Sequence, residues 1–177
     1  MRTLCLCTAV VVVSLLFIPV VVIAVLAQPI GGQTVVDIPP AALEAYQQAA
    51  ARCPGLPWPV LAGIGKVETD HGRSPLPGVT SGANPFGAEG PMQFLPATFA
   101  AYGIDSGDGD APSPYDLADA TLAAARMLCA NGAATPSGLR AAVWAYNHSE
   151  TYVDEVVAWA ERYASTSTSS GSEQSGG

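Results

Sequence analysis

Basic residues are scarce in this chain of 177 residues: seven Lys and Arg stand against 15 Asp and Glu, for a formal net charge of -8. Binding to phosphate backbones or anionic lipid draws on Lys and Arg contacts that release counterions, so nucleic acid is not expected as a partner. With two histidines, His71 and His148, there is no set of zinc ligands. Four cysteines are too few for a miniprotein built on disulfides. No Gly-x-Ser-x-Gly elbow, Walker loop, dinucleotide fingerprint or His-Glu-x-x-His motif occurs, and no segment repeats. What remains is 49% hydrophobic, which rules out wholesale disorder.

Charge is absent altogether between Leu4 and Ala27. About 20 apolar residues span a bilayer as a helix, and a secretory signal needs only about 7 to 15, so length favours a transmembrane anchor. Val25-Leu26-Ala27 before Gln28 fits signal cleavage, and Pro19 interrupts the span. Both readings of residues 1–27 stay open, and both put the rest of the chain outside the cytoplasmic membrane, membrane-anchored or secreted. Residues 28–39 read as a linker rich in Gly and Pro. The Ser/Gly-rich residues 165–177 have nothing to bury and are expected to be disordered. The domain is then 40–164, long enough for one core.

Its apolar pattern is helical. Leu43, Tyr46, Ala50 and Cys53 share one face after a proline pair suited to a helix start. A second helix runs from Trp58 to His71. A third starts on Asp116 as N-cap and stops at Asn131-Gly132, and a fourth opens at Thr135-Pro136 and runs through Tyr146. Ser149 caps a fifth, with Val153, Val156, Val157 and Ala160 on one face. Apart from brief extended pieces between 74 and 95 nothing alternates like a strand, so the class is all-α. Cys53 and Cys129, outside the membrane and without metal-ligand spacing, are expected to form a disulfide, the other reading being two separate buried thiols.

Chemistry concentrates in three places. At about 100° per residue from Val60, Glu68 falls near 80°, inside the apolar arc, while Lys66 and Asp70 fall on the wet side. A carboxyl turned toward the core loses hydration, its pKa rises, and it can serve as a general acid; the structural reading is a Glu paired with an Arg or with His71. The segment 74–94 is a long Gly/Pro-rich loop ending in Gly90-Pro91-Met92-Gln93-Phe94, a mixture suited to a polar, uncharged sugar, or simply loop punctuation with Met92 and Phe94 in the core. Tyr146 and Asn147 stand where the fourth helix gives way to the fifth, and Asn147 and Ser149 also make sense as caps. The acidic run Asp105–Asp110 hints at a calcium loop, but Asp116 stands where the bidentate Glu belongs and Pro112 interrupts the ligands.

Taken in order, Val-Glu-Thr-Asp-His-Gly (67–72), Gly-Ala-Glu-Gly-Pro-Met-Gln-Phe-Leu-Pro-Ala-Thr-Phe (87–99) and Ala-Tyr-Asn-His-Ser-Glu-Thr-Tyr-Val (145–153) resemble the lytic transglycosylases. These are lysozyme-like enzymes of peptidoglycan, and the likeness is to the membrane-bound lytic murein transglycosylase branch of actinobacteria. The resemblance covers about 40–164. It implies a small all-α, lysozyme-like (SLT) domain, monomeric, without cofactor or metal, acting on glycan strands. Glu68 would be the single catalytic acid/base; Gln93 would contact glycan, Tyr146 and Asn147 would flank the acid, and Thr69, Met92 and Phe94 would line the groove. Thr69 stands where the soluble branch usually has Ser, and keeps the hydroxyl. The implied reaction cuts the MurNAc–GlcNAc bond and closes a 1,6-anhydro ring, in cell-wall remodelling. The alternatives are a lysozyme-type hydrolase on the same fold and a non-catalytic wall-binding module.

Overall fold

Proline opens three helices, each time at the first or second helical position, where a missing N–H costs nothing. The computed structural model describes residues 37–171, and among these lie six α-helices: α1 (Pro40–Ala51), α2 (Trp58–Thr69), α3 (Pro96–Tyr102), α4 (Leu117–Ala130), α5 (Leu139–Tyr146) and α6 (Glu150–Gly171). The only extended pairing among them is an isolated bridge between Glu89 and Phe94. The all-α expectation holds.

α2 lies at the centre, packed mainly on α6 and also on α1 and α4. Val60, Leu61 and Ile64 are fully or almost fully buried, and two glycines set how closely the neighbours approach. A Cβ on Gly63 would come within 2.5 Å of the Val156 carbonyl oxygen on α6, and one on Gly65 within 2.0 Å of the Tyr46 hydroxyl on α1. A side chain at Gly63 would force α2 and α6 apart, and one at Gly65 would displace the Tyr46 ring.

Several boundaries differ from the sequence expectation. α2 stops at Thr69 rather than His71, because Asp70 and His71 turn to positive φ. α3 is an added element, a single two-turn helix too short to set a period. α5 begins at Leu139, since residues 135–138 close a turn in which the Gly138 N–H reaches both the carbonyl and the hydroxyl of Thr135. Asp116 caps α4 as expected, accepting from the Asp119 N–H at 2.9 Å, and the Ser149 hydroxyl accepts from Tyr152 N–H at the start of α6. The tail does not begin at 165: α6 continues to Gly171, and the Ser165 and Thr166 hydroxyls bond back to carbonyls of the preceding turn. Residues 172–177, the apolar run 4–27 and residues 28–36 of the linker lie outside the described residues. Among the described residues no helix is long and apolar enough to cross a membrane.

The acidic run after α3 is tied internally. Buried Asp119 accepts from Ser106 N–H at 2.7 Å and Ser113 N–H at 3.0 Å, while Asp105 and Asp108 accept from the N–H groups of Gly107 and Asp110, two residues on. The carboxylates of this loop therefore serve its own turns.

Cys53 and Cys129 are bonded, joining the C-terminal ends of α1 and α4 across a separation of 76 residues. Loop-closure entropy assigns such a bridge about 4 kcal/mol, often less in practice. Cys53→Ala with Cys129→Ala is expected to lower the urea midpoint accordingly; an unchanged midpoint would show that the unfolded chain is already confined without the bond.

Candidate active site

Three consecutive residues after α2 hold positive φ: Asp70 at 53°, His71 at 61° and Gly72 at 81°. A left-handed backbone costs a residue carrying a Cβ about 1–2 kcal/mol, so this turn must be held from outside. Lys66 bridges Asp37 and Asp70, and Arg73 bonds Asp70 at 2.8 Å and the Asp37 carbonyl at 2.6 Å. Asp70, which the sequence reading left on the wet face as an ordinary surface group, thus forms the helix C-cap; its bond to Arg73, seconded by Lys66, holds its carboxyl down to about 2.

His71 closes the turn from within. Its Nδ1 lies 3.0 Å from the Tyr46 hydroxyl and its Nε2 lies 3.0 Å from the Tyr163 hydroxyl. Tyr163 donates to Asp37 Oδ1 at 3.0 Å and so accepts from Nε2–H, which makes Nδ1 the acceptor from Tyr46. Burial lowers the imidazole to about 4, so the ring is neutral at ordinary pH. The chain Tyr46, His71, Tyr163, Asp37, Lys66 joins α1, the α2 turn, α6 and the residues before α1.

Glu68 sits one residue before Thr69 and faces elsewhere. Because the helix ends at Thr69, His71 is not its i+3 neighbour on a helical face, and the pairing with His71 or an Arg that a structural role would need is not made. Its Oε1 instead accepts from the Tyr152 hydroxyl of α6 at 2.6 Å. Burial raises the carboxyl from 4.5 to about 7, against the Tyr152 bond, which favours the ionised form and lowers it. No second carboxylate among the described residues contributes to this shift. A lone acid that carries its proton near neutral pH can give that proton and take one back.

The remaining residues expected at the site divide sharply. Tyr146 is next to the acid: the charge of Glu68 joins burial in raising its phenol, and its hydroxyl donates to the Met92 carbonyl at 2.8 Å. Gln93 holds φ 51° and uses its amide inside the loop, accepting from Asn84 Nδ2 at 2.9 Å and donating to the Gly90 carbonyl at 2.8 Å. Asn147 is exposed at the C-cap of α5. Three do not line an open groove with their side chains. Met92 and Phe94 are 0% and 2% exposed and belong to the core, Phe94 edge-on to Phe99 and Tyr146. Thr69, 2% exposed, is a clamp: its hydroxyl donates to the Pro91 carbonyl at 2.6 Å and accepts from Gly72 N–H at 2.8 Å, fastening the 74–95 loop to the end of α2. Those apolar or doubly bonded groups gain more from burial than from water.

Two residues escaped the sequence reading. Tyr152 lies on the apolar stripe of α6 with Val156 and Ala160, and a tyrosine on a buried stripe needs a partner for its hydroxyl, which is the signal that points to it. Asn84 organises the loop, its Oδ1 accepting from Phe86 and Ala88 N–H groups while its amide holds Gln93. Nothing in its Gly/Pro-rich surroundings singled it out.

No family model and no curated protein matches the chain. Among solved structures, the Escherichia coli lytic transglycosylase Slt35, in complex with bulgecin A, is similar at 18% identity and a TM-score of 0.55, over 82% of this chain and 82% of that one. The chain has the lysozyme-like fold of that lytic transglycosylase, and at this identity the likeness speaks for the fold.

A carboxyl raised from 4.5 to about 7 makes the folded state hold a proton that the unfolded chain releases. The associated stability is present below pH 4.5 and is lost as pH rises through 7, about 3 kcal/mol in all. Glu68→Gln is therefore expected to match the parent protein near pH 4 and to exceed its stability by up to about that amount at pH 8. Equal melting temperatures of the two proteins at both pH values would mean an ordinary, solvated Glu68.

Proposed function

We propose that the chain is a peptidoglycan lytic transglycosylase, working outside the cytoplasmic membrane in cell-wall remodelling, with Glu68 as its only acid/base. The observation that carries the reading is the lone, half-buried carboxyl of Glu68, raised to about 7 and bonded by Tyr152. The three ordered motifs and the fold shared with Slt35 support it.

Most glycosidases flank the scissile bond with two carboxylates. Here the second is replaced by the substrate. Protonated Glu68 donates to the oxygen linking N-acetylmuramic acid to N-acetylglucosamine, and the C1–O bond breaks while the muramic 2-acetamido group stabilises positive charge at C1. The carboxylate left behind, steadied by the Tyr152 hydroxyl, takes the proton of the same sugar's 6-hydroxyl as O6 bonds to C1. One proton leaves Glu68 and one returns, no water is consumed, and the product end is a 1,6-anhydro ring. An intramolecular nucleophile has a high effective concentration, so positioning does much of the catalysis. Tyr146 and Gln93 act through the loop: Tyr146 pins the Met92 carbonyl, and Gln93, strained and tied to Asn84, fixes the rim along which glycan lies. Asn147, exposed beside them, is offered to the sugars.

Digestion of purified sacculi tests the reading. The parent protein is expected to release muropeptides ending in 1,6-anhydro-muramic acid, and Glu68→Gln to release none while staying folded. Reducing ends instead would make the protein a hydrolase, and wall binding without release would make it a binding module.

Since the free enzyme must hold the Glu68 proton, kcat/KM on soluble glycan is expected to fall as pH rises through about 7. Tyr152→Phe removes the bond that lowers this carboxyl, so the falling limb should move to higher pH and the rate should drop. A limb that stays in place would detach Tyr152 from the acid's ionisation.

A further inference from the structure

Six basic side chains occur among residues 37–171, and four of them face an acid or an aromatic ring. Lys66 and Arg73 serve Asp37 and Asp70, Arg140 pairs with Glu150 and Asp154, and the Arg162 guanidinium lies 4.7 Å from the centre of the Trp159 ring. The other two, Arg52 and Arg126, have no carboxylate within ion-pairing distance among the described residues, and both line one cavity of about 350 Å³. This cavity is bounded by the ends of α1, α3 and α4, away from every residue of the candidate active site. Arg126 gives Nη1 to the Tyr102 carbonyl at 2.6 Å, and the Arg52 guanidinium makes no hydrogen bond among the described residues.

In a chain of net charge -8, two cations sharing a cavity without an acid repel each other unless an anion joins them. Their planar guanidinium groups match a carboxylate through paired N–H bonds. The walls between them are small and apolar, made by the Cys53–Cys129 bridge, Ala101 and Ala125, with the Tyr102 ring at one side. The volume lies within the range of small-molecule sites and suits a body of two small residues rather than a sugar chain. We propose that this cavity is a second binding site, which takes the free carboxylate end of a short peptide with small side chains. The inference rests on peptidoglycan being the substrate, since the peptides carried by that polymer end in free carboxylates. A peptide held here would tether the glycan to the enzyme at a second point and raise its effective concentration at Glu68.

The test is a titration of isotope-labelled, full-length Glu68→Gln protein with N-acetyl-D-alanyl-D-alanine, followed by amide NMR. Saturable shifts are expected at Ala101, Cys129 and Ala130. The same dipeptide capped as an amide should bind at least about tenfold more weakly, and so should the acid dipeptide to an added Arg52→Gln change, the cost of about one charge-assisted hydrogen bond. Arg52 is exposed and its replacement leaves the packing intact, so an unchanged melting temperature accompanies that arm. No saturable shift, equal binding of the amide, equal binding of inorganic phosphate, or full binding to the Arg52→Gln protein would each overturn the proposal. Binding needs no turnover. A protein that takes the dipeptide yet releases no muropeptide defeats the transglycosylase reading alone, and one that cuts sacculi yet ignores the dipeptide defeats this inference alone.

Discussion

The turn that ends α2 governs the rest of the molecule. Three successive left-handed residues are unfavourable by themselves, and the protein surrounds them with bonds from five side chains: Lys66 and Arg73 on the carboxylate of Asp70, Tyr46 and Tyr163 on the ring of His71, and the Thr69 hydroxyl on Gly72. Reversing the chain there lets Glu68 occupy the last turn of the central helix without competition from His71. The same reversal brings Thr69 to the Pro91 carbonyl, and through it the long loop to its place beside the acid. A small-domain core of alanines and valines would not by itself fix such a loop; directed polar bonds do.

Two opposing effects set the character of Glu68. Burial pushes its proton affinity up, and a single phenol pulls it part of the way back. The neighbouring Tyr146 has its hydroxyl committed to a backbone carbonyl, so the acid faces one donor and otherwise an environment of low polarity. The site therefore works against the stability of the fold near neutral pH, where part of the population carries a poorly solvated charge. Such opposition is common where a group must change protonation state during a reaction.

Much of this was legible in the sequence, because it follows from period and from caps. The helical pattern, the N-cap at Asp116, the inward placement of Glu68 and the pairing of the two cysteines all rest on local rules, and the structure agrees with them. What could not be read depends on contacts between residues far apart in the chain. Tyr152 meets Glu68 across 84 positions, Thr69 meets Pro91 across 22, and Tyr46 meets His71 across 25. No periodicity carries those pairings. The helical spacing that turned Glu68 inward also assumed a helix running on to His71, and the chain leaves the helix at Thr69. Met92 and Phe94 show the converse problem: a motif identifies a segment that borders a site without saying which of its atoms face outward, and here the backbone carbonyl of Met92 is the part that meets Tyr146.

The Cys53–Cys129 bond closes a covalent ring that contains α2, α3 and most of α4, and so contains Glu68, Thr69, Gln93 and the whole 74–95 loop. Tyr146 and Tyr152 lie beyond it, on α5 and α6. The acid and the phenol that tempers it thus belong to two topologically separate pieces, one cyclic and one linear, that meet only when the C-terminal helical pair docks. In a chain made from its N-terminus the ring is complete in sequence before either tyrosine exists, and until they arrive Glu68 is an ordinary solvated carboxylate. The last helices to be synthesised therefore raise the proton affinity of Glu68, and a chain cut short after α4 would keep its loop closure and its acid side chain while lacking the surroundings that make that side chain hold its proton.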